Sequence, residues 1–315
     1  MDAGPLDEAN VDEDKLLTQH HATLLPPELL SPSPSAKDGV AAADERAQRL
    51  WACEVVQEAG ILLRLPQVVM CTASNLVHRF YYRKSLKSYD AFVVAMGCFF
   101  LACKVEEKPK RIREVLFVFH YVYKARTGRR DATLELGGAR YNGWKDALCK
   151  VERNILKELG FSFYIIEHAH RFLLFYVKLL EGDATLAQEA WNYLNDSTRT
   201  DLSLRKPSQV ICCAAVEMAA RKLGLPLPSA SRGDGCEWTE VFRVRRSDVD
   251  EVVAEVLALY KEPKRQWLDA LCPGPRITSD EFEAHVVSQQ KARAEAEAAR
   301  KAEALKEAER RAAEA

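Results

Sequence analysis

DAFVVAMGCFFLACKVEEKPKRIREV, residues 90–115, decides how this chain folds. From Ala91 to Cys103 every residue is apolar or small, and the run stops at Lys104, two acids and a Lys-Pro-Lys-Arg cluster. A helix apolar on every side has no face to offer water, so it belongs at the centre of a helical bundle. The run is too short for a membrane span, which needs about 20 residues. Asp90 stands where such a helix takes its cap. Lys104 stands where it ends and where the macrodipole favours a cation. The stretch therefore sets a lysine at the rim of a packed core, aimed outward. Such an arrangement suits recognition rather than catalysis.

On either side, apolar residues recur at helical spacing. Asp44–Leu63 carries Leu50, Cys53, Val56 and Ile61 on one stripe, and Pro66 opens a second helix over Gln67–Arg83. Pro109 stops the buried run. Arg111–Lys124 then groups Val115, Val118, Phe119 and Val122 on one face. Thr127–Ala139, with three glycines, reads as a loop, and Asn142–Leu159 as a fifth helix closed by Gly160. A second set follows. Asp183 caps a helix through Trp191 and Leu194, and Pro207 opens another nearly all-round apolar helix, stopped by Gly224 and Pro226. Ser247 and Asp250 form a variant capping box. Behind it runs a stripe of Val249, Val252, Val253, Val256, Leu257 and Tyr260. The ACKV that contains Lys104 is matched by the ARKL that contains Lys222, which suggests an internal duplication. The expectation is an all-α chain of tandem modules. There is no alternating strand pattern and no glycine-rich phosphate loop.

The ends differ in kind. Residues 1–44 are acidic and then Pro- and Ser-rich, and read as a disordered arm. In it Ser31 and Ser33 each precede proline, which makes them candidate sites for a proline-directed kinase; the plainer reading is an unmodified linker. Residues 271–315 read as a charged helical tail rich in Ala, Glu, Lys and Arg. From Gln289 on, Leu305 is its only large apolar residue, so a coiled-coil seam is absent.

Net charge is −1, which gives no global basic field for nucleic acid or an anionic membrane. The nine cysteines lack metal-ligand spacing and read as reduced packing thiols of a nuclear or cytosolic protein. His168 and His170 sit two residues apart, and on a helix such positions diverge, so no metal site is expected there. No cofactor is implied.

LACKVEE (Leu101–Glu107) and KVERNILKELGF (Lys150–Phe161) resemble the cyclin box. AGILLRLPQVVM (Ala59–Met70), HRFYYRKS (His78–Ser85), KPKRIREVLFVFHYV (Lys108–Val122) and AWNYLNDSTRT (Ala190–Thr200) extend the likeness in order, and bring it closer to the cyclin L branch than to the cell-cycle cyclins. The resemblance implies two tandem five-helix cyclin boxes, over about 45–165 and 166–270. It maps the family's signature lysine onto Lys104 and its signature glutamate onto Glu152, which bond each other and the backbone of the kinase. Val105, Leu156 and Phe161 match apolar positions that line the kinase groove, although Phe161 taken alone also reads as an ordinary core aromatic.

By the same resemblance the chain is expected to be a non-catalytic, nuclear regulatory subunit. It would form a heterodimer with a cyclin-dependent kinase acting in RNA polymerase II transcription and pre-mRNA processing, with transcription or splicing factors as further partners. No membrane partner and no direct nucleic-acid contact are expected. The chain departs from the animal pattern in lacking an arginine–serine tail, and over Ser229–Arg246. The alternative is a protein like transcription factor IIB, built on the same box and binding DNA or transcription machinery without a kinase. Lys108, Lys110, Arg111 and Arg113, with Arg126, Arg129 and Arg130, would supply its basic patch. The near-neutral pI of 6.7 and the lack of a zinc ribbon weigh against it.

Overall fold

Asp90 caps the apolar run as its position predicts. Its carboxylate accepts from the Phe92 and Val93 amides at 2.9 and 3.1 Å, and the helix continues to Val105. A computed structural model describes residues 24–128, 134–163, 166–227 and 237–262, with isolated helical positions between 286 and 300. The first module is built of α1 (Ala42–Leu62), α2 (Gln67–Tyr81), α3 (Ala91–Val105), α4 (Ile112–Thr127) and α5 (Ala139–Glu158). The second holds α6 (His170–Leu179), α7 (Ala184–Ser197), α8 (Ser208–Leu223), the single turn α9 (Trp238–Val241) and α10 (Arg246–Leu259). Among the described residues there is no strand.

Each module closes around its apolar helix. In the first, α3 packs against α1, α2 and α5. Its Phe92 ring meets Trp144 at 5.5 Å and Phe119 at 5.8 Å, both edge to face, a geometry that adds to simple burial. Gly97 lets α5 come close: a Cβ there would fall 2.6 Å from Val151 Cγ1 and 2.9 Å from Ile155 Cδ1. In the second module α8 packs against α6, α7 and α10, and Tyr176 stacks on Phe242 at 3.8 Å. The two cores are separate clusters of buried residues. Among the described residues, the fourth position of the second module is held by the single turn α9.

The sequence reading fails at four places. Ile61, assigned to the core stripe, is exposed, because it lies in the last turn of α1 beyond the bundle. Leu257 and Tyr260 are also exposed, and Leu259 is buried instead. Ser247 caps nothing. The helix starts at Arg246, so Ser247 lies inside it, and Asp250 pairs with Arg246 at 3.2 Å.

The fourth is the arm. Residues 24–41 are ordered against the body, with single helical turns at Pro27–Leu30 and Pro34–Lys37. Ser35 is fully buried and its hydroxyl accepts from the Leu86 amide, while the Leu25 amide donates to the Leu204 carbonyl of the second module. Residues 1–23, and all but isolated positions of the 271–315 tail, lie outside the described residues.

Candidate functional site

Lys104 is the last-turn cation of α3, and Glu152 lies on α5 next to Val151, the residue that packs on Gly97. The close approach of the two helices brings Lys104 Nζ to 2.6 Å from Glu152 Oε1. Nζ also lies 4.1 Å from the centre of the Phe100 ring, whose negative face attracts a cation. The Lys104 side chain is 46% exposed and that of Glu152 13%. A pair this open is worth only about 0–1 kcal/mol to the fold. An ammonium has three donors and a carboxylate about four acceptor sites, so the pair keeps hydrogen-bonding capacity for an outside group.

Val105 and Leu156 are partly buried, packed on the core from its rim. Phe161 behaves differently. Its side chain is 69% exposed, so the core-aromatic reading is wrong. After α5 ends, Gly160 and Phe161 are both left-handed, with φ of +60° and +58°. A bulky residue there is a backbone outlier, and such strain persists only where the surroundings impose it. The Phe161 amide bonds the Leu156 carbonyl at 3.1 Å, which ties the turn to α5. The five residues named from the sequence therefore fall on α3, α5 and the turn after it, with Lys104 and Glu152 in direct contact.

The lysine rim is also tied to the second module. Glu106, the residue after α3, accepts from the Thr72 hydroxyl at 2.6 Å, and Thr72 Oγ1 lies 2.8 Å from His168 Nε2. Since the hydroxyl proton points to Glu106, the network assigns the ring proton to Nε2 of His168. Burial, with the nearby His170, pulls the His168 pKa down to about 4, so the ring is neutral. His170 turns instead to Asn195 Oδ1 at 2.9 Å. Among the described residues no group of three His, Cys, Asp or Glu side chains is placed to hold a metal.

Periodicity missed Phe117 and Tyr121 on α4. Both are exposed, and Phe117 meets Tyr141 of α5 at 6.3 Å. Their i, i+4 spacing off the core stripe was the readable signal. The basic patch is smaller than the sequence suggests. Lys108, Arg111 and Arg113 are exposed, but Arg126 is consumed by Glu54 and Glu58 of α1 at 3.2 and 2.8 Å. Arg129 and Arg130 lie outside the described residues. The duplicated lysine, Lys222, pairs with Glu189 of α7 at 2.7 Å, whereas Lys104 pairs with the fifth helix of its module. The repeat copies the architecture without copying the pair.

Comparison with known proteins agrees with this architecture. Residues 41–164 match the family description "Cyclin, N-terminal domain". Human cyclin-L1 is 42% identical over 80% of this chain and 47% of its own length. Cyclin-L1-1 of Arabidopsis thaliana is 40% identical over 80% of this chain and 59% of its own length. The chain thus spans about half the length of the curated relatives it matches. Among solved structures, a chain of the yeast RNA Pol II CTD kinase CTDK-1 complex superposes with a TM-score of 0.61 at 15% identity, covering 85% of this chain and 83% of that one. A chain of the CAK complex of Chaetomium thermophilum gives 0.52 at 18% identity, covering 80% and 79%. With two helical modules of one plan, a family match across the first and relatives matching across most of its length, this chain belongs to the cyclin family.

Proposed function

We propose that this chain is the regulatory subunit of a nuclear cyclin-dependent Ser/Thr kinase that acts in RNA polymerase II transcription and pre-mRNA processing. The observation that carries the reading is the open Lys104–Glu152 pair, bracketed by Val105 and Leu156 and followed by the outward Phe161. Little of that arrangement serves the stability of the chain itself. It offers a partner backbone charged donors and acceptors beside an apolar edge, a combination that gives both orientation and affinity.

The chain contributes no catalytic group in this reading; it acts by differential binding. It favours the kinase conformer with the αC helix turned inward, where the kinase's Lys–Glu pair and magnesium-binding Asp are aligned. Moving a kinase from 1:99 to 99:1 active takes about 5.5 kcal/mol of differential affinity. The relatives named cyclin-L and the CTD-kinase and CAK complexes among the fold neighbours support a transcriptional kinase as the partner. Transcription or splicing factors would be recruited through surfaces outside the groove.

The test is association. Tagged chain and its Lys104→Ala/Glu152→Ala variant are recovered from cells in mild salt, and bound kinases are identified by mass spectrometry. The reading expects one cyclin-dependent kinase with the parent chain and its loss with the variant. Equal recovery with both would contradict it.

A further inference from the structure

The described part of the arm, residues 24–41, meets a polar chain that reaches across the seam between the modules. Ser33, 8% exposed, caps the turn Pro34–Lys37: its hydroxyl accepts from the Ala36 amide at 3.1 Å and donates to Glu45 Oε2 at 2.5 Å. Glu45 Oε1 in turn accepts from Arg49 at 3.3 Å. Arg49 lies 3.8 Å from Asp201, and Asp201 accepts from Arg205 at 2.9 Å. Tyr82 also donates to Asp201. So one buried serine hydroxyl is the first link of a chain running from the arm, through α1, into the second module. Beneath it lies a cavity of about 290 Å³, bordered by Ser31, Arg46, Arg49 and Arg199.

Ser33 is followed by Pro34, the sequence a proline-directed Ser/Thr protein kinase reads. We propose that Ser33 is a modification site that works as a latch: its phosphorylation releases residues 24–41 from the seam. In the step, Ser33 Oγ attacks the γ-phosphorus of ATP. The new O–P bond forms as the bond to the β-phosphate oxygen breaks, ADP leaves, and the hydroxyl proton passes to the kinase's general base. The substrate is the transiently opened arm, since closed Ser33 is buried.

The effect on the arm is set by the partners of Ser33. The hydroxyl loses the proton it gives Glu45, and a dianion is set against a buried carboxylate, a repulsive juxtaposition. The arginines bordering the cavity already have acidic partners, Arg199 among them through Glu54 and Asp196, although its Nε has no hydrogen-bond partner among the described residues. Arg49 serves Glu45, His78 and Asp201, and Arg46 serves Glu255 and Glu262. A phosphate at a helix start normally gains from the macrodipole, but a four-residue turn sums few peptide dipoles. Ser31 is the internal control. It also precedes proline, yet it is exposed, and among the described residues no hydrogen bond depends on its hydroxyl.

The experiment places phosphoserine at 33 or at 31 of the full chain by genetic-code expansion, and compares amide hydrogen exchange with the unmodified protein. Phosphoserine 33 should speed exchange over 35–41 by about tenfold or more, as local opening does, while α2 and α3 stay protected. Phosphoserine 31 should leave the arm as it was. Three results would overturn the latch: unchanged protection with phosphoserine 33, tighter protection from capture of the phosphate by Arg46, Arg49 and Arg199, or equal loosening by phosphoserine 31. Loss of protection throughout α2 and α3 would equally contradict a release confined to the arm. Adding Glu45→Gln to phosphoserine 33 should restore part of the arm's protection, because the repelling charge is gone. No restoration would count against the electrostatic mechanism.

Discussion

Gly97 and Val151 touch so closely that a Cβ on the glycine would lie 2.6 Å from the valine Cγ1, and the very next residue, Glu152, reaches Lys104 at 2.6 Å. A glycine in the middle of a buried helix weakens that helix by about 1 kcal/mol relative to alanine. Its compensation here is positional. It lets α5 settle onto α3 at the depth where an acid on one meets a lysine at the end of the other.

Gly97→Ala separates those effects. Alanine regains about 1 kcal/mol of helix propensity, but overpacking a filled core typically costs about 1–3 kcal/mol. We expect a net loss on the order of 1 kcal/mol in urea denaturation, together with weaker kinase association as α5 is pushed away. Greater stability with undiminished association would show that the close approach does not position the pair.

For Lys104 and Glu152 the expected pattern is a split between stability and binding. Either alanine substitution should change the free energy of unfolding by less than about 1 kcal/mol, the range of exposed ion pairs. In binding, truncating one partner of a charge pair that becomes buried costs about 2–5 kcal/mol. A double-mutant cycle run on both quantities measures the split. Comparable losses in both would mark the pair as structural.

Phe161 gives the sharpest contrast with a core residue. Truncating a buried phenylalanine costs about 3–5 kcal/mol. Phe161 is exposed and left-handed, and glycine adopts that backbone without steric cost. Phe161→Gly should therefore leave the melting temperature unchanged or slightly raised, while weakening the complex. A large fall in stability would restore the core-aromatic reading.

Two histidines, the buried His78 and the half-buried His168, contribute to the acid sensitivity of the fold. Burial, reinforced by Arg49, takes His78 down to about 3, and burial with His170 takes His168 down to about 4. An unfolded histidine titrates near about 6.5, so below that pH the unfolded chain binds protons the folded chain refuses. The stabilisation is full above about pH 6.5 and is lost as pH falls toward 4 for His168 and toward 3 for His78. The slope approaches about 1.4 kcal/mol per pH unit for each histidine. Denaturation series at pH 7 and pH 5 check this, and His168→Gln should flatten the dependence. An unchanged slope in that variant would place the acid sensitivity elsewhere.

The bundle was legible because its strongest signals are local. Asp90, the apolar run and the residues that stop it fix α3 without any tertiary information. The Lys104–Glu152 contact spans two helices and came only through the family resemblance; composition alone left the lysine facing an unnamed partner. Residues 24–41 of the arm were misread for the opposite reason. Their Pro- and Ser-rich composition predicts disorder, but Ser33 and Ser35 find partners at Glu45 and Leu86 that no local window contains. Ser247 failed through register, since a start one residue earlier moves a capping residue into the helix. Phe161 was ambiguous because an aromatic beside an apolar helix reads alike whether it points in or out. The backbone of Gly160 and Phe161 decides that, and it is not encoded in hydrophobic pattern.

The most direct test is enzymatic. The chain and its Lys104→Ala/Glu152→Ala variant are purified from cells in mild salt and assayed on a Ser-Pro peptide from the RNA polymerase II tail. The account predicts phosphorylation by material bound to the parent chain and its loss in the double variant. Activity that survives the double substitution, or a parent chain that brings no kinase with it, would contradict the claim that this surface recruits and activates a cyclin-dependent kinase.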